Sequence, residues 1–445
     1  MRVLIQDSSV SDALRRSDDL LPAEPGSGRG RSHGTSSKEA FDRWFRYPAG
    51  FASDYVSTLL ENLSPGPGSL IVDPFAGSGV TGTAARNAGH SFFGIETHPL
   101  IAELANLKLQ VAPGSPKSFA KAASSLAKAA EQAAPSTAGT LREEADLTQR
   151  CFEPDVLARL VSLRNLIRAG HADAWGLYAK WALLGTLRDV ASVRVGWPYQ
   201  RPGTQRQPRF TDPLARFVQR ATWMAEDLQQ EAASGADTYA SVTHGDSRDP
   251  AAWKGADGAQ GCVASPPYLN NFDYADATRL ELYFWGDVTS WADMCSTVRS
   301  GMVTATTQQT SVGAAREATL KLARFTNTGT AVEELTTQLQ AERSKRNRGK
   351  EYDRVIPDYF AAMVEILENL AKSMATDAPV VWLVGDSAPY GVYVDTPGLI
   401  GQISEHVGFS VEKDIVLRRR GQRWATNQTR HDVELSERLI LLRRQ

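Results

Sequence analysis

A glycine turn between two short apolar runs most constrains how this chain can fold. The first run ends at Asp73, a Gly-Ser-Gly turn follows at 77–79, and a helix is expected over 81–88. A second apolar run over 91–95 ends at Glu96. A strand, a glycine turn, a helix and a strand ending in an acidic residue form the layout of a nucleotide-binding α/β site. The alternative is a glycine-rich turn in any doubly wound sheet.

The turn and the acidic residue after it favour a nucleoside cofactor. Glycines let the backbone adopt positive φ and approach a ligand, and the Glu96 carboxylate can accept hydrogen bonds from both ribose hydroxyls. The spacing over 73–79 is Asp-Pro-Phe-x-Gly-Ser-Gly, which differs from the dinucleotide-binding Gly-x-Gly-x-x-Gly. Upstream, residues 47–51 (Tyr-Pro-Ala-Gly-Phe) either pack ahead of the first strand or line the cofactor site.

Composition limits the class of protein. The 445 residues suffice for two or three domains, and a formal net charge of −2 creates no overall field that attracts nucleic acid. Three widely separated cysteines argue against a zinc site or a disulfide framework and favour a reducing compartment. The chain shows neither an apolar run of membrane-spanning length nor a signal peptide at its start. We therefore predict a cytoplasmic enzyme with no metal and no membrane partner.

The pattern of apolar residues divides the chain into four parts. The Gly/Ser/Arg-rich composition of its first part predicts a flexible leader. Helical spacing without intervening strands predicts a helical insertion within an α/β domain. The predicted parts are a leader over 1–38, a first α/β part over 39–111, the insertion over 112–235 and a second α/β part over 236–445. Residues 300–330 show no clear period and are expected to form a mobile loop.

A second motif, Ser265-Pro-Pro-Tyr268, follows an apolar run that begins at Gly261. Two consecutive prolines cannot pair in a sheet, so the strand ends there and the backbone is held stiffly. The Ser265 hydroxyl and nearby carbonyl oxygens thus become rigid acceptors beside the Tyr268 ring, which suits a site that orients a planar amine. Further upstream, Asp246 ends a short strand, where it can contact a nucleoside base or cap the following turn.

Three basic segments are candidates for nucleic-acid contact. Residues 194–210 interleave arginines with aromatic rings in a Pro/Gly loop, which is either a nucleic-acid surface or an ordinary exposed loop. The run over 343–350 is either a solvated face or a phosphate clamp, and 418–430 is expected to be a basic hairpin. The residues predicted to contact nucleic acid are Arg194, Trp197, Tyr199, Arg346, Arg348, Arg419, Arg423 and Trp424.

Together these residues resemble the amino-methylating DNA methyltransferases, the S-adenosylmethionine enzymes that modify an exocyclic base nitrogen. Residues 73–79 are similar to the cofactor motif of that family, 265–268 to its catalytic motif, and 47–51 to the segment before the cofactor motif. The resemblance extends from about residue 40 to the C-terminus. It implies an α/β fold, a Rossmann-like methyltransferase sheet with helices on both faces. We expect the helical insertion to recognise the target.

The resemblance also implies a role for each motif residue. Glu96 would hold the ribose hydroxyls and Asp246 the adenine amine, within a cofactor set of Tyr47, Phe51, Asp73, Phe75, Gly77, Gly79, Glu96 and Asp246. Ser265 and the Pro266 carbonyl would accept hydrogen bonds from the target amine, while Tyr268 stacks on a flipped base. The expected catalytic residues are Ser265, Pro266, Pro267 and Tyr268. The Ser-Pro-Pro-Tyr form favours cytosine N4 over adenine N6.

The implied partner is double-stranded DNA, in restriction-modification or phage defence, with a cognate restriction or defence protein as a further expected partner. Two alternatives stay open: an RNA base N-methyltransferase, and a methylase-like subunit that binds DNA without turnover. Cys262 lies within an apolar strand, so the chain shows no cysteine nucleophile beside a proline. Carbon-5 methylation of cytosine is therefore disfavoured.

Overall fold

The computed structural model describes most of the chain, with gaps. The described residues are 39–47, 52–63, 65–195, 203, 205–234, 238–269, 273–305, 310–347, 349–420 and 433–445. The predicted leader over 1–38 lies outside them, as do the predicted site residues Phe51, Trp197, Tyr199, Arg348, Arg423 and Trp424. Within the described ranges, no helix combines the length and apolar character needed to cross a membrane.

One seven-stranded sheet organises this part of the chain. Its strands are β1 Leu70–Asp73, β2 Ser91–Glu96, β3 Ala240–His244, β4 Gly261–Ala264, β5 Pro379–Gly385, β6 Phe409–Arg420 and β7 Leu435–Arg444. Their order across the sheet is β3-β2-β1-β4-β5-β7-β6. Strands β1 to β5 are parallel, and β7 runs antiparallel between β5 and β6. The order switches between β1 and β4, the kind of position at which α/β sheets bind ligands.

Helices precede, connect and cover these strands. The first group comprises α1 Ser53–Leu63, α2 Val80–Asn87, α3 Pro99–Leu109, α4 Pro116–Thr137, α5 Asp146–Cys151, α6 Pro154–Arg168, α7 Gly176–Val190 and α8 Pro213–Ser234. The second comprises α9 Arg279–Trp285, α10 Trp291–Met294, α11 Val312–Leu322, α12 Thr326–Ser344, α13 Tyr352–Ser373 and α14 Thr396–His406. Helices α4 to α8 all fall within the predicted insertion, between β2 and β3.

Alternating strand residues place the helices on both faces of the sheet. Ile71 and Val263 pack in a core with α1 and α2, whereas their neighbours Val72 and Cys262 pack in a second core with α13. Successive side chains of a strand point to opposite faces, so a strand buried on both faces is apolar at every position. These two cores and the strand order confirm the predicted Rossmann-like sheet with helices on both faces.

The helical insertion shares a third core with the segment that carries Tyr47. Trp44 and Phe45 of that segment pack among the buried residues of α3, α4 and α6 to α8. The buried Asp227 carboxylate of α8 accepts hydrogen bonds from the Phe41 N–H and the Trp44 indole N–H, at 2.9 and 2.8 Å. The insertion therefore fixes the start of the α/β domain as well as adding helices to it.

The expectation of a mobile loop over 300–330 is wrong for most of the stretch. Helix α11 covers 312–322, and α12 begins at Thr326. Ser311 caps α11 by accepting from the Ala314 N–H, and the buried side chains of the helix are Ala315, Ala318 and Leu322. Two of these three are alanines, so the buried face carries little hydrophobic contrast and its period is hard to see in the sequence.

Candidate active site

A cleft opens at the carboxyl ends of the central strands, and both sequence motifs line it. Phe75 and Gly77 come from the turn after β1, and Glu96 comes from the end of β2. Ser265 and Pro267 follow β4. The other lining residues are Tyr47, Pro74, Ile95, Thr97, Asp246, Ser247, Tyr274, Gly301, Met302 and Val303. The chain thus brings together motifs far apart in sequence because β1 and β4 are neighbours.

The glycine turn depends on backbone that other residues rarely adopt. Gly77 and Gly79 have φ of 51° and 82°, and a Cβ on Gly79 would lie 3.1 Å from Ala105. The Asp73 carboxylate supports the turn by accepting from the Thr81 hydroxyl at 2.7 Å and the Phe75 N–H at 2.9 Å. Asp73 and Gly79 are not among the residues that line the cleft. They support the conformation of the turn without lining the cleft.

Glu96 presents a carboxylate held by two backbone donors. Its Oε2 accepts from the Gly77 N–H at 2.9 Å, and its Oε1 accepts from the His98 N–H at 2.7 Å. Burial raises the pKa of Glu96 to about 7, although these hydrogen bonds oppose the rise. Burial likewise raises the pKa of Asp73 to about 7. The pKa of Tyr47 is raised by burial and, in second place, by the Glu96 charge, in keeping with a shared position along the cleft.

Asp246 lines the cleft but already has a charged partner. Arg248 donates to both carboxylate oxygens of Asp246, at 2.6 Å from Nη2 to Oδ2 and 2.9 Å from Nε to Oδ1. The same guanidinium reaches the Gly301 carbonyl oxygen at 3.3 Å. The side chain that caps the following short helix belongs to Asp249, which accepts from the Ala251 N–H. Asp246 Oδ1 also accepts from the Arg248 backbone N–H at 2.9 Å, so Asp246 both lines the cleft and caps the turn that follows β3.

The Ser-Pro-Pro-Tyr segment is fixed to the strands beside it. The Ser265 hydroxyl donates to the Leu383 carbonyl oxygen of β5 at 3.1 Å. A hydroxyl whose hydrogen is donated to this carbonyl can act only as a hydrogen-bond acceptor towards the rest of the site. The Tyr268 hydroxyl donates to Glu437 Oε1 of β7 at 2.5 Å. Pro266 is buried, and neither Pro266 nor Tyr268 is among the lining residues of the cleft.

The sequence analysis missed several lining residues. Tyr274 follows the Ser-Pro-Pro-Tyr motif closely, and its hydroxyl oxygen accepts from the Tyr268 N–H at 3.2 Å. Thr97 binds the Gly301 carbonyl oxygen at 3.0 Å and so holds the wall formed by residues 301–303. The polar and aromatic character of the loop after the motif hinted at Tyr274. The wall over 301–303 depends on a tertiary contact that local sequence does not encode.

The arginines predicted to contact nucleic acid, where the structure describes them, do not line the cleft. Arg346 pairs with Glu342 at 3.0 Å and lies 4.1 Å over the Tyr390 ring, while Arg419 pairs with Glu434. Arg194 lies just after α7 in the insertion. The nucleic-acid role of these arginines, and target recognition by the insertion, stay predictions. Among the described residues, no group of three His, Cys, Asp or Glu side chains could hold a metal ion.

Comparison with known proteins identifies similar sequences over part of the chain. A family model described as DNA methylase matches residues 25–107, which include the glycine turn and Glu96. The type II methyltransferase M.BsoBI of Geobacillus stearothermophilus is 35% identical over 69 residues, 16% of this chain. The match spans only 14% of the length of that relative.

Two solved structures of the rRNA methyltransferase aviRa from Streptomyces viridochromogenes, at 1.5 and 2.4 Å, align at 12% identity with TM-scores of 0.31 and 0.29. The two alignments cover 98% and 99% of this chain, and 96% and 95% of the aviRa chains. The two sequence comparisons, with the family and with the type II enzyme, confirm the resemblance of this chain to the amino-methylating DNA methyltransferases.

Proposed function

We propose that this protein transfers a methyl group from S-adenosylmethionine to an exocyclic amine in double-stranded DNA, with cytosine N4 favoured over adenine N6. The observation that carries the proposal is the shared cleft: Gly77 and Glu96 line it together with Ser265. A nucleoside held by the first two would therefore lie beside the third. The matches to a DNA methylase family and to a type II methyltransferase support DNA as the substrate.

The lining of the cleft suits a nucleoside cofactor. The Glu96 carboxylate can accept from two ribose hydroxyls, Asp246 can accept from the adenine amine, and Tyr47 and Phe75 supply aromatic walls. The bound cofactor supplies an activated methyl group together with its leaving group.

The residues after β4 would orient the acceptor nitrogen. An exocyclic amine shares its lone pair with the aromatic ring and is a poor nucleophile. The Ser265 oxygen, whose proton is engaged by Leu383, and the Pro266 carbonyl oxygen would each accept one N–H of the amine. The freed lone pair then forms the nitrogen–carbon bond as the carbon–sulfur bond breaks, and the amine releases one proton to solvent. Orientation, more than proton transfer, is what the chain contributes.

The target base would have to leave the duplex to reach this site. A paired base inside a helix cannot present its amine to a cleft at the sheet edge, so base flipping is part of the proposal. Tyr268, directly after the two prolines, is the aromatic residue proposed to receive the flipped ring. The type II designation of M.BsoBI supports restriction-modification as the setting, with a cognate restriction or defence protein as partner.

The test is methyl transfer from labelled S-adenosylmethionine to unmethylated genomic DNA, followed by nucleoside analysis. We expect N4-methylcytosine from the wild-type chain and a rate about 100-fold lower from Ser265→Ala, in proportion to the loss of one transition-state acceptor. Binding of S-adenosylhomocysteine by the variant is the control for folding. N6-methyladenine would overturn the base assignment, and label in RNA would overturn the DNA substrate. Cofactor binding without any product would favour the non-catalytic subunit.

A further inference from the structure

We propose that Glu437 is a positioning residue for Tyr268, and that a β-bulge in β6 brings Arg418 opposite Glu437 to hold its charge. The inference rests on the proposed function, because it gives Tyr268 the task of receiving the target base. It adds a residue of the last strand to a site that is otherwise lined by residues between Tyr47 and Val303. Nothing in the sequence near Glu437 resembles a motif.

Glu437 is a fully buried carboxylate with a separate partner on each oxygen. It lies on β7 opposite Gly385, the last residue of β5, and none of its surface is exposed. Oε1 accepts from the Tyr268 hydroxyl at 2.5 Å, and Oε2 accepts from Arg418 Nε at 2.6 Å. A buried charge is tolerated only when it is paired and hydrogen-bonded, and both conditions are met here.

The β-bulge explains how the cation reaches this position. Val416 pairs with Arg438, and the next pair joins Arg418 to Glu437, so Leu417 is passed over. In an unbroken antiparallel register Leu417 would stand opposite Glu437. Leu417 instead packs in the core that contains Val263 and Val381. Bulges commonly re-aim a side chain beside a functional site, and this one exchanges a leucine for an arginine.

The contact with Glu437 completes the fixation of the Ser-Pro-Pro-Tyr segment. Ser265 is tied to β5 through the Leu383 carbonyl oxygen, and Tyr268 is tied to β7 through Glu437. The two prolines between them stiffen the backbone. A ring anchored at its hydroxyl end cannot swing about its Cα–Cβ bond, so a base stacked on it keeps its position relative to the Ser265 oxygen. Reaction rates depend steeply on such positioning.

The test combines two variants in a double-mutant cycle. Tyr268→Phe removes only the hydroxyl, and Glu437→Gln removes only the charge. We measure the kcat of methyl transfer to unmethylated genomic DNA, the KM for S-adenosylmethionine and the affinity for S-adenosylhomocysteine. Each variant is expected to lower kcat by about 10- to 100-fold while the cofactor constants change by less than about twofold. The double variant is expected to lose no more than the worse single variant.

Glu412→Gln is the matched control, since Glu412 pairs with Arg443 and lies towards the other end of the same two strands. It is expected to keep the wild-type kcat. Wild-type kcat in Tyr268→Phe, or losses that multiply in the double variant, would overturn the inference. If Glu437→Gln fails to fold, Tyr268→Phe decides alone, because it leaves the Glu437–Arg418 pair intact. A wild-type chain that methylates no DNA would instead overturn the proposed function and this inference with it.

Discussion

The proposed role of Glu96 predicts that cofactor binding and protein stability respond to pH in opposite directions. Its carboxyl group has a pKa of about 7 because it is buried. The ribose hydroxyls donate hydrogen bonds, so they favour the ionised carboxylate, which is a better acceptor than the acid. Raising the pH through 7 should therefore tighten cofactor binding. His98, whose pKa burial lowers to about 3, stays neutral over this range and does not contribute.

The magnitude follows from the fraction of Glu96 that is ionised. With a pKa of about 7, almost all of the group is ionised at pH 8.5 and about 3% at pH 5.5. If the ligand binds only the ionised form, its Kd rises about 30-fold between these pH values. The stability effect has the opposite sign. A folded-state pKa above the ordinary 4.5 stabilises the empty protein fully below pH 4.5, and this contribution is lost as the pH rises through about 7.

Isothermal titration calorimetry with S-adenosylhomocysteine at intervals from pH 5.5 to 8.5 measures the binding effect. Glu96→Gln should bind at least about 10-fold more weakly at pH 8.5, with a Kd that changes less than about threefold over the range. Asp73→Asn is the control. It removes the Asp73 carboxyl group and leaves Glu96 free to titrate, so the Kd of this variant should still depend on pH. A wild-type Kd that is independent of pH, or a Glu96→Gln variant that keeps the full 30-fold change, would refute this reasoning.

Two stability predictions test how the site is held. Asp227→Ala should lower the free energy of unfolding by about 3 kcal/mol, because the Trp44 indole and two other donors lose a buried acceptor. Glu226→Ala is the control: its carboxylate is mostly exposed, so the substitution should lower the free energy of unfolding by less than about 1 kcal/mol. Gly79→Ala should cost about 2–3 kcal/mol from positive φ and a tight contact, against about 1 kcal/mol for Gly89→Ala, which has positive φ and open space. Urea unfolding measures the free energy of unfolding of all four variants. Equal losses of stability within either pair would contradict the role given to Asp227 or to Gly79.

Four of the five parallel strands could be predicted because each is a short apolar run that ends at a turn, whereas the edge strand β3 is Ala-Ser-Val-Thr-His. The run over 379–385 has the same limits in the sequence and in the structure, since a strand buried on both faces is apolar throughout. Helix α3 over 99–109 begins at Pro99, a residue that is favoured at the first position of a helix and is therefore a start signal in the sequence. By contrast, the helices that begin at Val312 and Thr326 bury few large side chains, and residues 300–330 show no clear period.

The candidate site could be predicted where its residues belong to one local motif, and not where they meet through tertiary contacts. Gly77, Glu96 and Ser265 each follow a recognisable strand, so their shared edge follows from parallel topology. Asp246 was also placed at this edge, but its pairing with Arg248 was not foreseen. Glu437 is the third residue of β7, between Ser436 and Arg438, and no local pattern gives it an explanation. Only the position of Tyr268 supplies one.

The place of the insertion in the chain explains why it need not disturb the site. Helices α4 to α8 enter between β2 and β3, so the chain leaves the sheet after β2 and returns as the neighbouring edge strand β3. The pairing of β1 with β4, which joins the two motifs, involves neither strand that flanks the insertion. A large addition can thus be made at this point while Gly77 and Ser265 keep their separation. What the insertion does fix is the segment before α1, through Asp227, and with it the position of Tyr47 on the wall of the cleft.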